Sequence, residues 1–452
     1  MKRIVLIFLM LMLGACQTTP KGPVPKLGSR LISELVYQMT DIMVHDVTNP
    51  PLAARFFSYA CLAGYEVVAQ NDRSMKPLNR FLRSYPELPP PTAIGEHSYE
   101  LSALLAMVET GKKLQPSGFL LEKYQKSVID SCMRSGFSKD IVQNSLAYAN
   151  YVSAHILKYA KADKYNRISN YPRYSPLNKE GSWYPTPPGY YAPVEPYFNT
   201  VRPFTLDTCS QFKPVPPVPF SSTRGSEFYA LMDSCYQTGL DLNEEQKQVA
   251  AFWDCNPFAL ENNGHLLYGV KKISPGAHWL GITGIACEKA EMSFPMAMKI
   301  HTVVSVGLMD SFIACWDEKF RSNRIRPETA IRKYIDSDWK PFLQTPPFPE
   351  YLSGHSTISA ASATVLTFYF GKDFAFTDTV EKRYGLTDRS FNSFHEAANE
   401  AAISRYYGGI HFMDAITNGL LQGEKMGEWI LQKVEKDSTA LTTNKTTYNK
   451  HA

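Results

Sequence analysis

Residues 346–355 read Pro-Pro-Phe-Pro-Glu-Tyr-Leu-Ser-Gly-His, and the run that follows, residues 356–370, places small and apolar residues at helical spacing. Ser353, Gly354 and His355 are therefore predicted in the cap or first turn of a helix. The first N–H groups of a helix lack internal partners and carry the positive end of its dipole. This stretch predicts an oxyanion site with a hydroxyl, a backbone donor and an imidazole.

Helical spacing also dominates the rest of the chain, whereas no strand pattern of comparable strength occurs. The predicted helices cover residues 31–36, 50–70, 99–113, 120–135, 139–159, 225–239, 243–253 and 282–319. Pro295 lies inside the last of these and is predicted to kink it. The pattern predicts an all-α fold, a single helical bundle over residues 31–435 with its catalytic part at about 280–435.

Residues 163–222 depart from this pattern, because proline and aromatic residues cluster there and few helical periods remain. Their aromatic content is too high for a disordered linker. We predict a long ordered excursion that packs on the bundle. It is either a wall or lid near a site or a structural wrap without contact to substrate.

The N-terminus has the features of an export signal. Met1-Lys2-Arg3 precedes an apolar run, and Leu13-Gly14-Ala15-Cys16 resembles a bacterial lipobox. We expect removal of residues 1–15, lipidation of Cys16, a tether over residues 16–30 and a polar tail over residues 436–452. The expected location is the bacterial cell envelope, lipid-anchored on the periplasmic side or the cell surface. The alternative is an ordinary cleaved signal.

Charge and cysteine content limit the classes of partner. The 47 basic and 43 acidic residues nearly balance, which argues against a nucleic-acid binder and leaves the lipid anchor as the predicted membrane contact. Seven cysteines follow Cys16, and an exported protein can pair some of them. Their spacing indicates neither a zinc nor a redox pair, and buried thiols are the alternative.

Two basic residues precede the 346–355 stretch. Lys319 and Arg326 are seven positions apart, close to two helical turns, so the pattern predicts them near one helix face with side chains that converge on one oxyanion. Basic residues near a helix end also compensate the dipole without binding anything, which is the alternative.

A third segment, residues 404–414, contributes Arg405 and His411. Six positions put them on different sides of a straight helix, but Gly408-Gly409 provides a break that can return His411 to the face of Arg405. Asp414 would then hold the second ring nitrogen of His411. A packed Arg–Asp and histidine group is the alternative. His265 and His278 are further candidates for lining the approach to the site.

These three segments together resemble the signature shared by vanadium-dependent haloperoxidases and type 2 phosphatidic acid phosphatases. The residues that carry the resemblance are Lys319 with Arg326-Pro327, Ser353-Gly354-His355, and Ser404-Arg405 with Gly409 and His411. Trp316, Phe348 and the proline-rich excursion favour the haloperoxidase branch, and the sequence context is most similar to bacterial iodoperoxidases. Asp414 departs from the pattern, because it follows His411 by three positions where the family usually has four.

The resemblance implies one vanadate per chain, with His411 as the vanadium ligand and His355 as the catalytic acid–base residue. It implies that Lys319, Arg326, Arg405, Ser353 and the Gly354 N–H bind the vanadate oxygens. Trp316 and Phe348 would line the pocket.

The activity implied is oxidation of halide, with iodide the expected one, by hydrogen peroxide to hypohalous acid. An exported acid phosphatase is the runner-up, with no vanadate and a phosphohistidine at His411. A non-catalytic surface lipoprotein is the third possibility. Oligomeric state is not predicted.

Overall fold

The computed structural model of the chain describes residues 25–91, 94–262, 267–270 and 272–436. The predicted signal, Cys16, His265 and residues 437–452 lie outside these ranges. Cleavage, lipidation and the polar tail therefore stay predictions, as do the predicted domain limits.

Regular structure in the described residues consists of thirteen α-helices, five short 3-10 helices and four short strands. The helices are α1 (Arg30–His45), α2 (Pro50–Asn71), α3 (Tyr99–Leu114), α4 (Leu121–Arg134), α5 (Lys139–Lys161), α6 (Glu227–Leu240), α7 (Glu244–Phe252), α8 (Pro275–Lys289), α9 (Phe294–Ser322), α10 (Pro327–Tyr334), α11 (Gly354–Phe370), α12 (Phe394–Tyr407) and α13 (Met413–Glu435). The strands form two antiparallel pairs, β1 (Leu260–Asn262) with β2 (Leu267–Gly269) and β3 (Phe376–Asp378) with β4 (Arg389–Phe391). The all-α prediction is confirmed, with two small β pairs that the pattern did not indicate.

Polar caps fix where most of these helices begin. A serine or asparagine side chain accepts a backbone N–H at the start of eight helices: Asn49, Ser98, Ser138, Ser226, Asn243, Ser274, Ser353 and Ser393. The Oγ of Ser353 accepts the N–H of Ser356 at 3.2 Å, so the predicted cap of α11 is present.

The centre of the molecule is α9, which packs against α2, α8, α11 and α13. This helix is apolar on nearly all sides, as expected for a helix enclosed by others. Its length and hydropathy would suffice to cross a membrane, but 94% of its most apolar window is buried inside the protein. The N-terminal helices α2, α3 and α5 form the layer on one side of it.

The predicted kink at Pro295 is wrong, because residues 282–319 do not form one helix. The helix α8 ends at Lys289, and α9 begins at Phe294. Pro295 occupies the first turn of α9, where the missing N–H of proline would have had no intrahelical partner.

Close packing of α13 on α11 brings two of the predicted segments together. A Cβ on Gly423 would lie 2.1 Å from the carbonyl oxygen of Thr357, so only glycine allows this approach. The contact sets the start of α11 beside the start of α13, where the N–H of Ser353 donates to the carbonyl of Ala415 at 3.2 Å.

The excursion over residues 163–222 is ordered and runs along the segments that carry predicted site residues. Backbone hydrogen bonds join Trp183 to Asn323 at 2.8 Å and Val194 to Pro347 at 3.0 Å. The hydroxyl of Tyr351 also donates to the carbonyl of Val215 at 2.6 Å. These contacts support the prediction that the excursion is a wall near the site, rather than a structural wrap without contact to substrate.

Candidate active site

The structure brings the predicted site residues together where α9, α10, α11 and α12 meet. Six of them line a cavity of about 30 Å³: Trp316, Phe348, Gly354, His355, Arg405 and His411. Lys319, Arg326 and Ser353 have no exposed surface and belong to the same site through their contacts with the 346–355 stretch and with His411.

Lys319 lies in the last turn of α9 and is fully buried. Its Nζ donates to the carbonyls of Pro349 and Glu350, each at 3.0 Å, and to that of Leu352. Burial lowers the pKa of this ammonium group to about 7. The ammonium is thus held by neutral carbonyl dipoles.

Arg326 does not share a helix with Lys319, so the prediction of one helix face is wrong. The helix α9 ends at Ser322, its C-cap Asn323 has a left-handed φ of 49°, and Arg326 is the N-cap of α10. Convergence comes instead from the turn between the two helices, which directs Arg326 back toward the cavity.

The Arg326 guanidinium is fully buried and incompletely hydrogen-bonded. It donates to the carbonyls of Phe348 and Ile410, each at 2.8 Å. Its Nη2 has no hydrogen-bond partner among the described residues. Burial lowers its pKa to about 9. Because a buried donor without an acceptor costs free energy, this nitrogen is suited to an incoming anion.

Arg405 supplies the third cation from the last turn of α12. It donates to Ser404 Oγ at 3.0 Å and to the carbonyl of Ala250 at 3.2 Å, while Asp254 lies 3.9 Å away. Burial lowers its pKa. The positive φ of Gly409, 70°, ends the helix and turns the chain toward His411 as the glycine pair predicted.

The neighbours of His411 fix its tautomer. Arg326 Nη1 lies 3.1 Å from Nε2, and since arginine can only donate, Nε2 must carry the lone pair. Nδ1 therefore carries the proton and donates to Glu350 Oε1 at 2.9 Å. Burial, then the charges of Arg326 and Lys319, hold the pKa of His411 well below its usual range. The result is a neutral imidazole whose Nε2 lone pair lies at the cavity and accepts a hydrogen bond from Arg326.

Glu350 thus fills the role that the sequence suggested for Asp414, and that suggestion is wrong. Asp414 instead pairs with Arg324 at 2.5 Å and 2.8 Å, and Arg324 Nε also donates to Glu350 Oε2 at 2.6 Å. The reason is that α13 begins at Met413, so His411 precedes the helix and shares no face with Asp414. The missed signal was an acidic residue within an otherwise apolar, proline-rich stretch.

His355 is a second neutral imidazole at the cavity, in the first turn of α11. Its ring hydrogen-bonds the backbone carbonyl of Trp253, and its Nε2 has no partner among residues that the structure describes. Burial, then the charges of Arg405 and His411, lower its pKa well below the usual range. A neutral imidazole with a free nitrogen can accept a proton.

Gly354 presents bare backbone to the cavity between these groups. A Cβ at this position would lie 3.6 Å from the Trp316 ring and would take up part of the cavity. Ser353 Oγ accepts a hydrogen bond as the cap, and its own proton stays available to donate.

Trp316 and Phe348 form an aromatic wall next to the cations. Their ring centroids are 5.0 Å apart, and the Phe348 ring lies 5.0 Å from both Lys319 Nζ and Arg326 Cζ. Trp316 Nε1 donates to the Val194 carbonyl at 3.1 Å, which ties the excursion to the site. His278 is fully buried and does not line the cavity, so its predicted place in the approach is wrong.

Comparison with known proteins identifies the family to which this chain is related. A family model described as the VCPO second helical-bundle domain matches residues 299–438. The crystal structure of the first bacterial vanadium-dependent iodoperoxidase is 41% identical with a TM-score of 0.85, covering 91% of this chain and 97% of that one. No curated protein matches the sequence.

Two further structures share the fold at lower identity. Apo-type and holo-type bacterial vanadium-dependent chloroperoxidases have TM-scores of 0.61 and 0.58 at 16% and 17% identity. The matches cover 91% and 92% of this chain and 96% and 94% of those chains. With the iodoperoxidase likeness along nearly its whole length, this chain belongs to the vanadium-dependent haloperoxidase family of enzymes.

Proposed function

We propose that this chain binds one vanadate and oxidises halide, with iodide its preferred substrate, by hydrogen peroxide to hypohalous acid. The observation that carries the proposal is the lone pair of His411 Nε2 among three buried cations. The 41% identity to a bacterial iodoperoxidase supports iodide as the preferred substrate over bromide or chloride.

The donor set fits a vanadate oxyanion. Arg326 Nη2 lacks a partner in the described part of the chain, and Lys319 and Arg405 contact mainly neutral acceptors. With Ser353 and the Gly354 N–H these groups would hold the oxygens, and His411 Nε2 would ligate the metal. When bound, vanadate supplies a Lewis acid that activates peroxide for attack by halide.

The protein keeps His411 ready for that role through Glu350. The carboxylate accepts the Nδ1 proton at 2.9 Å and also the N–H of Phe412 at 2.9 Å, so both the ring and its backbone are oriented. Arg324 in turn holds Glu350. The lone pair at Nε2 is thus preserved and aimed at the cavity.

His355 handles the proton of the peroxide. Its Nε2 faces the cavity without a protein partner, and its low pKa keeps it unprotonated near neutral pH. It can accept a proton from a peroxide molecule that enters and return it to the departing oxygen. The carbonyl of Trp253 holds the ring in place for both transfers.

The aromatic wall suits a large, weakly hydrated halide. Trp316 and Phe348 are almost fully buried and offer no hydrogen bonds to replace a tight hydration shell. Iodide loses less hydration free energy than smaller halides when it enters such surroundings, so the wall favours iodide.

The test is a set of assays on purified chain with and without added orthovanadate: iodide oxidation, bromide oxidation and hydrolysis of a phosphate ester. We expect vanadate-dependent oxidation that is faster with iodide. His411→Ala should lose it by at least about 100-fold, since the metal ligand is gone, whereas the exposed His45→Ala should not. Ester hydrolysis that vanadate only inhibits, with no halide oxidation, would show a phosphatase instead.

A further inference from the structure

A second group of ligand-type side chains lies behind the wall of the cavity. Cys255 follows α7, His278 lies in α8, and Glu381 lies in the turn after β3. All three are buried, with Cys255 at 2% and His278 at 0% exposure. Cys255 also lines the cavity beside His355, so this group borders the proposed vanadate site without belonging to it.

The three ligand atoms form a compact triangle. Cys255 Sγ lies 3.6 Å from His278 Nδ1 and 3.9 Å from Glu381 Oε1, and these last two atoms are 3.3 Å apart. Ligand atoms held at about 2.0–2.3 Å in a tetrahedral shell are separated by about 3.3–3.6 Å. The triangle matches this spacing to within a few tenths of an ångström.

The two contacts of Cys255 Sγ are also within the range of sulfur hydrogen bonds, but the 3.3 Å between His278 Nδ1 and Glu381 Oε1 is long for a direct ion pair. A charged imidazole and a carboxylate that bond to each other usually approach to about 2.7–2.9 Å. His278 does so on its other side, where Nε2 lies 2.7 Å from Asp378 Oδ2. Metal-binding histidines commonly donate their second nitrogen to a carboxylate in this way. The inner nitrogen of His278 is therefore oriented toward the space that Cys255 and Glu381 share.

We propose that Cys255, His278 and Glu381 bind a divalent cation of the zinc class, with Asp378 orienting His278. The mixture of sulfur, nitrogen and one carboxylate oxygen suits zinc better than magnesium or calcium, which prefer oxygen ligands. Binding would release the thiol proton of Cys255, and any proton on His278 Nδ1, to solvent.

The cation would fix the loop after α7, residues 253–258, which positions His355. The ring of Trp253 stacks on His278 with centroids 4.5 Å apart, and the carbonyl of Trp253 holds the His355 ring. Cys255 is two residues further along the same loop, and Asn256, Pro257 and Phe258 continue it along the cavity. A bound ion would tie this loop to α8 and to the turn after β3.

The experiment measures zinc directly on the purified full chain, after incubation with zinc sulfate and removal of unbound metal. We expect about one zinc per chain by elemental analysis, lost in Cys255→Ser and in Glu381→Gln. Cys287→Ser is the matched control, because it removes another buried thiol of the same region, on α8. His411→Ala should keep its zinc, which separates this site from the vanadate site.

Cobalt provides a second readout that needs no variant. Cobalt(II) bound through Cys255 should show a thiolate-to-cobalt charge-transfer band and the visible bands of a tetrahedral site. The inference is overturned if wild type keeps no more zinc than Cys255→Ser. Absence of the thiolate band in the cobalt-loaded wild type would overturn it equally, even if both variants fail to fold.

Discussion

Buried cations occur in two regions of this protein, and their partners differ. In the N-terminal layer, Arg55 Nε donates to Asp163 at 2.7 Å, and the hydroxyl of Tyr59 donates to the same carboxylate at 2.9 Å. At the cavity, Lys319 and Arg326 donate mainly to backbone carbonyls. The first region balances charge within the protein, and the second leaves positive charge in excess.

The two regions thus separate cations that are balanced within the protein from cations that suit the proposed anion. Carbonyl dipoles orient a cation but do not neutralise it, so burial lowers the pKa of Lys319 to about 7 and that of Arg326 to about 9. An anion in the cavity would remove this cost. Cations paired with carboxylates are therefore compatible with a stable protein in the absence of a ligand. Cations without a carboxylate partner would add to stability only when an anion binds beside them.

The largest effect is expected from Arg55→Met. This change leaves the carboxylate of Asp163 buried without its cation, at a cost of about 3–5 kcal/mol in the free energy of unfolding. Chemical denaturation measures that loss. The affinity of the folded variant for vanadate should not change. A loss below about 1 kcal/mol would mean that the pair is not a structural element.

Arg326→Met should reverse the pattern. We expect vanadate affinity to fall by about 1.5–3 kcal/mol, or roughly 10- to 150-fold, because a charge-assisted hydrogen bond to the anion is lost. Equilibrium dialysis measures the affinity. The control is Lys333→Met, since Lys333 is half-exposed and pairs with Glu180 on the surface. Equal affinities in the two variants would contradict an anion role for Arg326.

The smallest effect concerns pH. Lys319 is charged below about pH 7 in the free site, and a bound anion raises its pKa. Above pH 7 binding must take up one proton, so affinity should fall about fivefold between pH 7 and 8. Molybdate is the suitable probe, because it stays fully ionised in this range. Lys319→Arg should give a flat profile between pH 7 and 8, below the range in which Arg326 loses its proton, and a flat wild-type profile there would contradict the mechanism.

Local patterns predicted the elements well. Helical spacing and polar caps located the helices, and Ser353 caps α11 as its position indicated. The glycine pair at 408–409 predicted the turn that redirects His411, because glycine has no Cβ and readily adopts the positive φ that Gly409 shows. These features depend on neighbours within one or two turns, so they can be read from the chain.

Predictions that extended a helix across a turn failed. Lys319 and Arg326 are separated by a left-handed residue, Asn323, and Pro295 begins a helix where a kink was predicted. Asp414 follows His411 closely in sequence, yet Arg324 takes its carboxylate and Glu350 takes the histidine. Spacing along an ideal helix says nothing about where that helix begins.

The all-α class and the cap of α11 could be predicted from the sequence, since both follow from short-range spacing and residue chemistry. The anion site and the roles of its cations and imidazoles were predicted from the family resemblance, and they stay predictions. Export and the lipid at Cys16 remain predictions from sequence. Only the tertiary structure decided that Glu350 sets the tautomer of His411, that the excursion supports Trp316, and that Cys255, His278 and Glu381 meet. Those contacts join residues far apart in the chain, and only packing brings such residues together.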